Sequence, residues 1–325
     1  MTGKFLVLQG VLIPMICGCP VSQSLPGHAP VLSPTEKKTG CPYLLYVPST
    51  FTGDHPYPLV IACHGTWPYD TARTQMGEWA KFAEYEGIIV AAPKLVSCKG
   101  DFPPSPRRQI ELQNDDELSI LAIVEELKLR YNIIDSQIFL TGWSAGAYPI
   151  LHTGLKHPDI FRALFIRQGT FDERFMDIRD SRIDKWQQIR VVYGKSDFLR
   201  DQTVDCIRWL EERGMFVSRE EIPGIHRRID PRHTWTFFKK VVKERPWIRI
   251  QTQRIGRQQP LTIRFAYNAV PPAGEQKWFF GDGKESYDAS PEHTFSKPGR
   301  YEIRLNVALD GGKTYSRAKT IRVSR

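Results

Sequence analysis

The pentapeptide 142–146, of sequence GWSAG, constrains the fold of this 325-residue chain more than any other feature. A short apolar run, 137–141, precedes it, and a stretch compatible with a helix, 147–156, follows it. A strand, G-x-S-x-G and a helix in this order are typical of a nucleophile elbow, a turn so tight that glycine is needed on both sides of the serine. The pattern therefore predicts that Ser144 is held exposed, in a strained backbone conformation, at the end of a strand.

Strand-like and helix-like segments alternate from Tyr43 onward, and several carry their own boundary signals. Gly87 and Gly214 end two helical patterns, and Asp230-Pro231 is a helix start with an N-cap and a first-turn proline. Alternation of this kind predicts the α/β class, a doubly wound, mostly parallel sheet with helices on both faces. The expected strands are 43–47, 59–63, 88–92, 137–141, 163–166, 189–193 and 216–222. The expected helices are 74–86, one opening at Asp115 and Asp116, 147–156, 201–213 and 231–242.

The alternation ends at Arg245-Pro246, and only strand-like segments separated by glycine and proline turns follow it. This pattern indicates a small, all-β sandwich. We therefore predict a catalytic domain over 41–245 and a β-sandwich over 246–325.

The first 19 residues are typical of an export signal. Lys4 precedes an apolar core of about 12 residues, which is too short to span a bilayer. Residues 16–19, ICGC, are similar to a bacterial lipobox, which implies cleavage before Cys19 and acylation of its thiol; a simple secretory signal cut nearby is the alternative. Residues 20–40 have the composition of a flexible tether. Either signal predicts an exported protein, at the cell envelope or secreted.

A serine hydroxyl needs a base, a group that orients the base, and donors for the developing oxyanion. In sheets that carry this elbow, the partners follow in the order serine, acid, histidine. Asp197 closes a strand and a short turn, which predicts a place at the carboxyl edge of the sheet; Asp201 and Asp205 are the competing acids. Two histidines compete for the base, and loop placement favours His226 over His233.

The segment HGTW at 64–67 follows the strand 59–63 and is the expected source of one oxyanion donor. We predict the backbone N–H of Ala145 as the first donor and that of Thr66 as the second, or that of Trp67 if the loop is shifted by one residue. His64 is then structural. Trp67, Trp143 and Phe198 flank these motifs and are candidate substrate-binding residues, with core packing as the alternative.

The cysteines and the charge distribution limit which other kinds of site the chain is expected to contain. Four cysteines remain after the signal: Cys63 is expected to be a buried thiol, Cys41 and Cys98 could pair, and Cys206 is unassigned. There is no CxxC and no Cys/His cluster, so neither a metal nor an organic cofactor is expected. The net charge is +9, with 14 Lys+Arg against 7 Asp+Glu in 246–325, but the charges are scattered and do not indicate nucleic acid binding.

Residues 41–245 resemble an α/β-hydrolase, close to secreted esterases of the polyhydroxybutyrate depolymerase-like and feruloyl esterase-like kinds. The residues that carry the resemblance are LYVP at 45–48, the strand 58–65 with its His-Gly, NDD at 114–116 and GWSAG at 142–146. Residues 249–325 resemble a PKD domain, an immunoglobulin-like sandwich, through WFFGDG at 278–283, PEHTF at 291–295 and PGRY at 298–301. The resemblance implies Ser144, Asp197 and His226 as a triad.

The expected function is that of an exported serine carboxylesterase that acts on short acyl or aromatic esters. Polysaccharides are candidate carriers of these esters. The resemblance implies that the PKD domain binds carbohydrate or protein or acts as a spacer, and membrane contact is expected only through a lipid anchor. A peptidase of the prolyl oligopeptidase type and a non-catalytic surface adhesion protein are the alternatives.

Overall fold

The computed structural model of the protein describes residues 29–99, 105–178, 183–256, 258–309 and 312–324. The signal, the lipobox with Cys19 and the first part of the tether, to residue 28, lie outside the described residues. The strands of the first domain are β1 Tyr43–Tyr46, β2 Tyr57–Cys63, β3 Ile89–Pro93, β4 Ile133–Trp143, β5 Ala163–Arg167, β6 Gln188–Gly194 and β7 Val217–Ile222. Its helices are α1 Ala72–Glu86, α2 Pro106–Arg130, α3 Ala147–Lys156, α4 Arg200–Glu212 and α5 Pro231–Glu244.

The seven strands form one sheet in the order β1-β3-β2-β4-β5-β6-β7. Only β1 is antiparallel to its neighbour; the other pairs are parallel. One face of the sheet packs against α1 and α5, and the other packs against α2, α3 and α4. The predicted α/β class with a doubly wound, mostly parallel sheet is confirmed. The carboxyl ends of β2, β4, β5, β6 and β7 therefore meet at one edge, where ligand sites of such sheets lie.

Helix α2 begins earlier than its apolar stripe predicts. Its N-cap is Ser105, whose hydroxyl accepts the Arg108 N–H, and Pro106 is the first helical residue. The prediction that the helix opens at Asp115 was wrong because the first two turns pack by polar contacts rather than by apolar ones. Gln109 and Gln113 are buried there and donate to backbone carbonyls.

Residues 29–40, the described part of the segment predicted as a tether, follow the edge strand β1. Leu32 and Leu45 exchange backbone hydrogen bonds of 2.8 and 2.9 Å, and the Tyr43 N–H donates to Pro34 O at 3.0 Å. This pairing satisfies backbone groups that an edge strand otherwise leaves open. Within the described ranges, the structure has no helix that is long and apolar enough to cross a membrane.

The second domain is a sandwich of two antiparallel sheets. Its strands are β8 Trp247–Arg254, β9 Thr262–Val270, β10 Ala273–Phe279, β11 Glu285–Ser286, β12 Glu292–Thr294, β13 Gly299–Leu309 and β14 Thr314–Val323. The sheet β11-β10-β13-β14 packs on the sheet β12-β9-β8 around Trp278, Phe265 and Phe280. Gly281 has φ +77°, and a Cβ there would lie 2.7 Å from the carbonyl oxygen of Glu302, so the turn requires glycine. The predicted immunoglobulin-like sandwich is confirmed.

Candidate active site

Ser144 occupies a sharp turn between β4 and α3, where the residue is only 8% exposed. The prediction that it is exposed was wrong because the loop after β2 packs against it: a Cβ on Gly65 would lie 3.2 Å from Ser144 Cβ. The φ of Ser144 is +54°, in the left-handed region that only a few non-glycine residues adopt. A Cβ on Gly142 would lie 2.9 Å from Cys63 Cβ, and one on Gly146 would lie 2.8 Å from His64 O. Both glycines are therefore required by the close approach of the β2 strand and its loop, and the strained serine conformation is that of a nucleophile elbow.

Asp197 and His226 lie together on the loops that follow β6 and β7. His226 Nδ1 is 3.0 Å from both carboxylate oxygens of Asp197. The Asp197 side chain is fully buried, and its Oδ1 also accepts the Leu199 N–H at 2.8 Å. A carboxylate held in this way orients the imidazole, because it fixes the Nδ1–H tautomer and leaves Nε2 to accept a proton.

Two aromatic rings contact the His226 ring. Trp143 stacks on it with centroids 4.7 Å apart and planes 29° apart, and Phe198 contacts it at 4.7 Å and 57°. Trp143 Nε1 also donates to the backbone oxygen of Arg227 at 3.2 Å. These contacts hold the imidazole plane, so Trp143, predicted as a substrate-binding residue, packs on the histidine. Phe198 is 77% exposed and Trp67 is 54% exposed, so both present apolar surface to solvent.

The competing acids and histidines lie elsewhere. His233 Nε2 is 2.9 Å from Glu220 Oε2 at the start of α5, and this contact contributes to a lowered pKa of the Glu220 carboxyl. The side chains of Asp201 and Asp205 are exposed on α4, 97% and 57% respectively. The Asp–His contact therefore combines Asp197 with His226 and not with these alternatives.

The loop after β2 offers one free backbone donor beside Ser144. The Gly65 N–H donates to Asp70 Oδ2 at 2.6 Å, and the Trp67 N–H donates to Cys98 O at 2.9 Å. The Thr66 N–H has no acceptor among the described residues. Of the two alternatives predicted for the second donor, Thr66 and Trp67, only the Thr66 N–H is thus available among the described residues. The Ala145 N–H lies in the first turn after Ser144, where backbone donors have no intrahelical acceptor.

His64 links the loops after β2 and β3. Its Nδ1 donates to Gly65 O at 2.7 Å, and its Nε2 accepts the Leu95 N–H at 3.0 Å. Burial lowers the pKa of this imidazole. Both ring nitrogens are engaged with backbone groups, so His64 supports the loop and has no free nitrogen for proton transfer.

Gln168, which sequence reasoning missed, clamps the histidine loop on both sides of His226. Its Oε1 accepts the Arg227 N–H at 2.6 Å, and its Nε2 donates to Ile225 O at 3.0 Å. The residue is fully buried, with φ +48°, directly after β5. Its position in the sequence, a polar residue directly after an apolar strand, could have identified Gln168 as a residue of the carboxyl edge.

A partly buried charge network, also missed, connects the loop after β2 with the histidine loop. Arg228 Nη1 is 2.9 Å from Asp70 Oδ1 and 2.7 Å from Glu78 Oε1. The other carboxylate oxygen of Glu78 lies 3.0 Å from the fully buried Arg167. The Arg228 guanidinium also lies over the Trp143 ring at 4.7 Å. Because Asp70 binds Gly65 as well, one carboxylate ties the expected oxyanion loop to the residues that support His226.

The loop after β3 is held by Asp116. Its carboxylate accepts the N–H groups of Val96 and Ser97 at 2.8 and 2.9 Å and also the Ser97 hydroxyl. Burial raises the pKa of Asp116 to about 6. Asp116 therefore supports the loop after β3 and is not in contact with Asp197 or His226.

All four described cysteines are free and buried, so Cys41 and Cys98 are not paired. Cys63 ends β2 within the core, where burial raises the pKa of its thiol. Across the described part of the chain, no group of three or more histidine, cysteine, aspartate or glutamate residues is arranged to hold a metal ion.

Comparisons with known proteins match the two domains separately. The model of the prolyl oligopeptidase family matches residues 112–198, which include the elbow and Asp197, and the model of the PKD domain matches residues 243–324. A search among curated proteins finds no match.

Solved structures share the fold of the first domain at low identity. A ferulic acid esterase is 14% identical, over 65% of this chain and 97% of that one, with a TM-score of 0.51. A ferulic acid esterase from Anaeromyces mucronatus, in complex with ferulic acid, is 16% identical over 68% and 94%, with a TM-score of 0.53. The Francisella virulence factor BioJ is 12% identical over 70% and 87%, with a TM-score of 0.50. The chain is therefore a serine hydrolase of the α/β-hydrolase fold that carries a C-terminal PKD domain.

Proposed function

We propose that this protein is a carboxylesterase that cleaves short acyl or aromatic esters through an acyl-enzyme on Ser144. The observation that carries the proposal is the combination at one sheet edge of a strained serine with an Asp–His pair at 3.0 Å. Two of the matched structures are ferulic acid esterases, which favours an ester over an amide substrate.

In the proposed mechanism, His226 Nε2 takes the proton of the Ser144 hydroxyl as the oxygen attacks the ester carbonyl. Asp197 stabilises the imidazolium that forms. The N–H groups of Ala145 and Thr66 donate to the oxyanion of the tetrahedral intermediate. The intermediate collapses as His226 returns the proton to the departing alcohol, and water then hydrolyses the acyl-enzyme by the same steps.

The Trp143 and Phe198 rings contribute by contacting the imidazole. Trp143 stacks on it at 29° and Phe198 packs against it at 57°, and these contacts restrict the orientation of the ring for proton transfer. Trp67 and Phe198, both exposed, are the proposed substrate contacts.

Export and attachment remain part of the proposal. We infer from the first 19 residues that the protein is exported, with a lipid anchor at Cys19 or as a secreted protein. The PKD domain then holds the catalytic domain near a polymeric substrate, through carbohydrate or protein contacts or as a spacer.

The function is tested by hydrolysis of p-nitrophenyl acetate and butyrate together with labelling by a fluorophosphonate, which reacts with activated serines. We expect Ser144→Ala to abolish both turnover and label, and His226→Ala to reduce both by at least a thousandfold, on the scale seen for triads. His233→Ala is the matched control and should keep both. Turnover retained in His226→Ala but lost in His233→Ala would refute the assignment of the base.

A peptidase is the second candidate, because the matched family model is that of prolyl oligopeptidases. The triad would serve either reaction, since both pass through an acyl-enzyme. Paired p-nitrophenyl ester and p-nitroanilide substrates with the same acyl group separate the two. A higher kcat/KM for the anilide would favour the peptidase.

A further inference from the structure

A pocket lies beside the expected oxyanion loop, between the loops after β2 and β3 and the first turn of α1. His64 and Trp67 form the wall nearest the serine, Lys94 and Lys99 come from the β3 loop, and Arg73 comes from α1. The amino-terminal end of β1 and the residues before it close the far side. The pocket is at the carboxyl edge of the sheet, on the same edge as Ser144.

The pocket is lined by residues on both sides of the candidate oxyanion donor Thr66: Trp67 follows it directly, and His64 lies two residues before it. His64 lines the pocket, and the next residue, Gly65, is close enough to the nucleophile that a Cβ there would lie 3.2 Å from Ser144 Cβ. A substrate whose carbonyl oxygen contacts Thr66 N–H therefore lies beside the loop residues that line this pocket.

The charge of the pocket is one-sided. Of the described residues that line it, three are basic and none is acidic. Arg73, Lys94 and Lys99 form no ion pair with any described carboxylate, in contrast to Arg228, which binds two. Asp70, the nearest acidic residue in the α1 entry, is fully buried and has four hydrogen-bond donors of its own. Three unpaired cations around one concave surface concentrate positive potential there.

Trp67 adds a flat apolar surface to this pocket. Its side chain is 54% exposed, but its backbone is fixed by the hydrogen bond to Cys98 O at 2.9 Å. An exposed ring on an anchored backbone loses little conformational entropy when a ligand packs on it. The combination of such a ring with cations fits an anionic group attached to a flat ring or chain.

We propose that this pocket binds a carboxylate group carried by the ester substrate, so that the enzyme prefers acidic esters over neutral ones. The proposal rests on the proposed function and names its substrate class. The carboxylate can be part of the acyl group or of the alcohol, and both sources present the same chemistry to Arg73, Lys94 and Lys99.

Two matched pairs of substrates test the proposal. On the acyl side, mono-4-nitrophenyl adipate is compared with 4-nitrophenyl hexanoate, which has the same chain length and no carboxylate. On the alcohol side, 4-carboxyphenyl butyrate is compared with its methyl ester, 4-(methoxycarbonyl)phenyl butyrate. We expect kcat/KM to be higher for the acidic member of at least one pair, and the preference to fall as salt screens the charges.

Neutralising the cations should reduce this preference. In Lys94→Gln and Lys99→Gln, the acidic-to-neutral ratio of kcat/KM should fall about two- to five-fold each, as expected for solvent-accessible ion pairs. Lys81→Gln is the control and should leave the ratio unchanged, because Lys81 is exposed on α1, outside the pocket, and forms no ion pair with a described residue. The pair whose ratio responds identifies the side of the ester that carries the carboxylate.

A ratio near one in both pairs, or a preference that is the same in all four proteins, would overturn the proposal. Failure of the proposed function is a separate result, because it appears as loss of turnover on the neutral esters themselves.

Discussion

Replacement of Asp70 is predicted to reduce both the stability of the fold and the rate of ester turnover. Its carboxylate is fully buried and accepts four hydrogen bonds. Oδ2 accepts from Gly65 N at 2.6 Å and Gln75 Nε2 at 2.8 Å, and Oδ1 accepts from Thr71 N at 3.0 Å and Arg228 Nη1 at 2.9 Å. Replacement by asparagine turns one of these two acceptors into a donor, in either orientation of the amide.

The magnitude follows from the bonds that are lost. Asp70→Asn removes two hydrogen bonds to a charged acceptor, each worth about 1.5–3 kcal/mol. Arg228 keeps its contact with Glu78 and its side chain is 33% exposed, so the lower figure applies to its share. We expect the free energy of unfolding to fall by about 3 kcal/mol, measured by urea denaturation followed by tryptophan fluorescence.

The same change should reduce kcat on p-nitrophenyl butyrate about 10- to 100-fold, with a smaller effect on KM. Gly65 precedes the expected oxyanion donor Thr66, and loss of one such donor costs about 100- to 1000-fold when it is complete. Because Asp70→Asn loosens the loop but leaves the Thr66 donor in place, the reduction in kcat should be smaller than that. Asp201→Asn, whose side chain is 97% exposed, is the control for the same charged-to-neutral exchange at an aspartate outside the loop.

Unchanged kcat in a folded Asp70→Asn protein would refute the reasoning that this carboxylate positions the oxyanion loop. Equal stability of the variant and the wild type would refute the hydrogen-bond magnitudes.

Three further predictions concern other parts of the molecule. Gly65→Ala should lower kcat at least about tenfold, because its Cβ would lie 2.9 Å from Trp143 Cε3 and 3.2 Å from Ser144 Cβ and would displace these residues; a wild-type rate in the ester assay would contradict this. Burial raises the pKa of the Asp116 carboxyl to about 6, so the native state binds a proton at Asp116 more tightly than the unfolded chain does. The contribution of Asp116 to the free energy of unfolding therefore increases as pH falls from about 6 to about 4. The wild type should therefore gain about 2–3 kcal/mol relative to Asp116→Asn over that interval in urea titrations, and a constant difference would exclude the shift. Trp278→Ala should destabilise the PKD domain by about 3–5 kcal/mol and leave ester turnover unchanged, whereas a joint loss of both would mean that the two domains unfold as one unit.

Local patterns in the sequence were sufficient to predict the class of fold of both domains. The alternation of apolar strands and amphipathic helices predicts the parallel sheet, and Asp230-Pro231 predicts the start of α5, where the structure has it. The strained turn at Ser144 is predicted by GWSAG, because only glycines fit where β2 and its loop approach. The start of α2 at Pro106 was missed, because its first turns are held by polar contacts that leave no apolar period.

The sequence by itself therefore determined the class of fold and the tight turn at Ser144, because these depend on residues close together in the chain. Only the tertiary structure decided that Trp143 stacks on His226, that Gln168 clamps the histidine loop, and that Asp70 joins Gly65 to Arg228. Asp70 and Arg228 are 158 residues apart in sequence. Such contacts depend on which strands are neighbours in the sheet, and periodicity along the chain carries no information about that order.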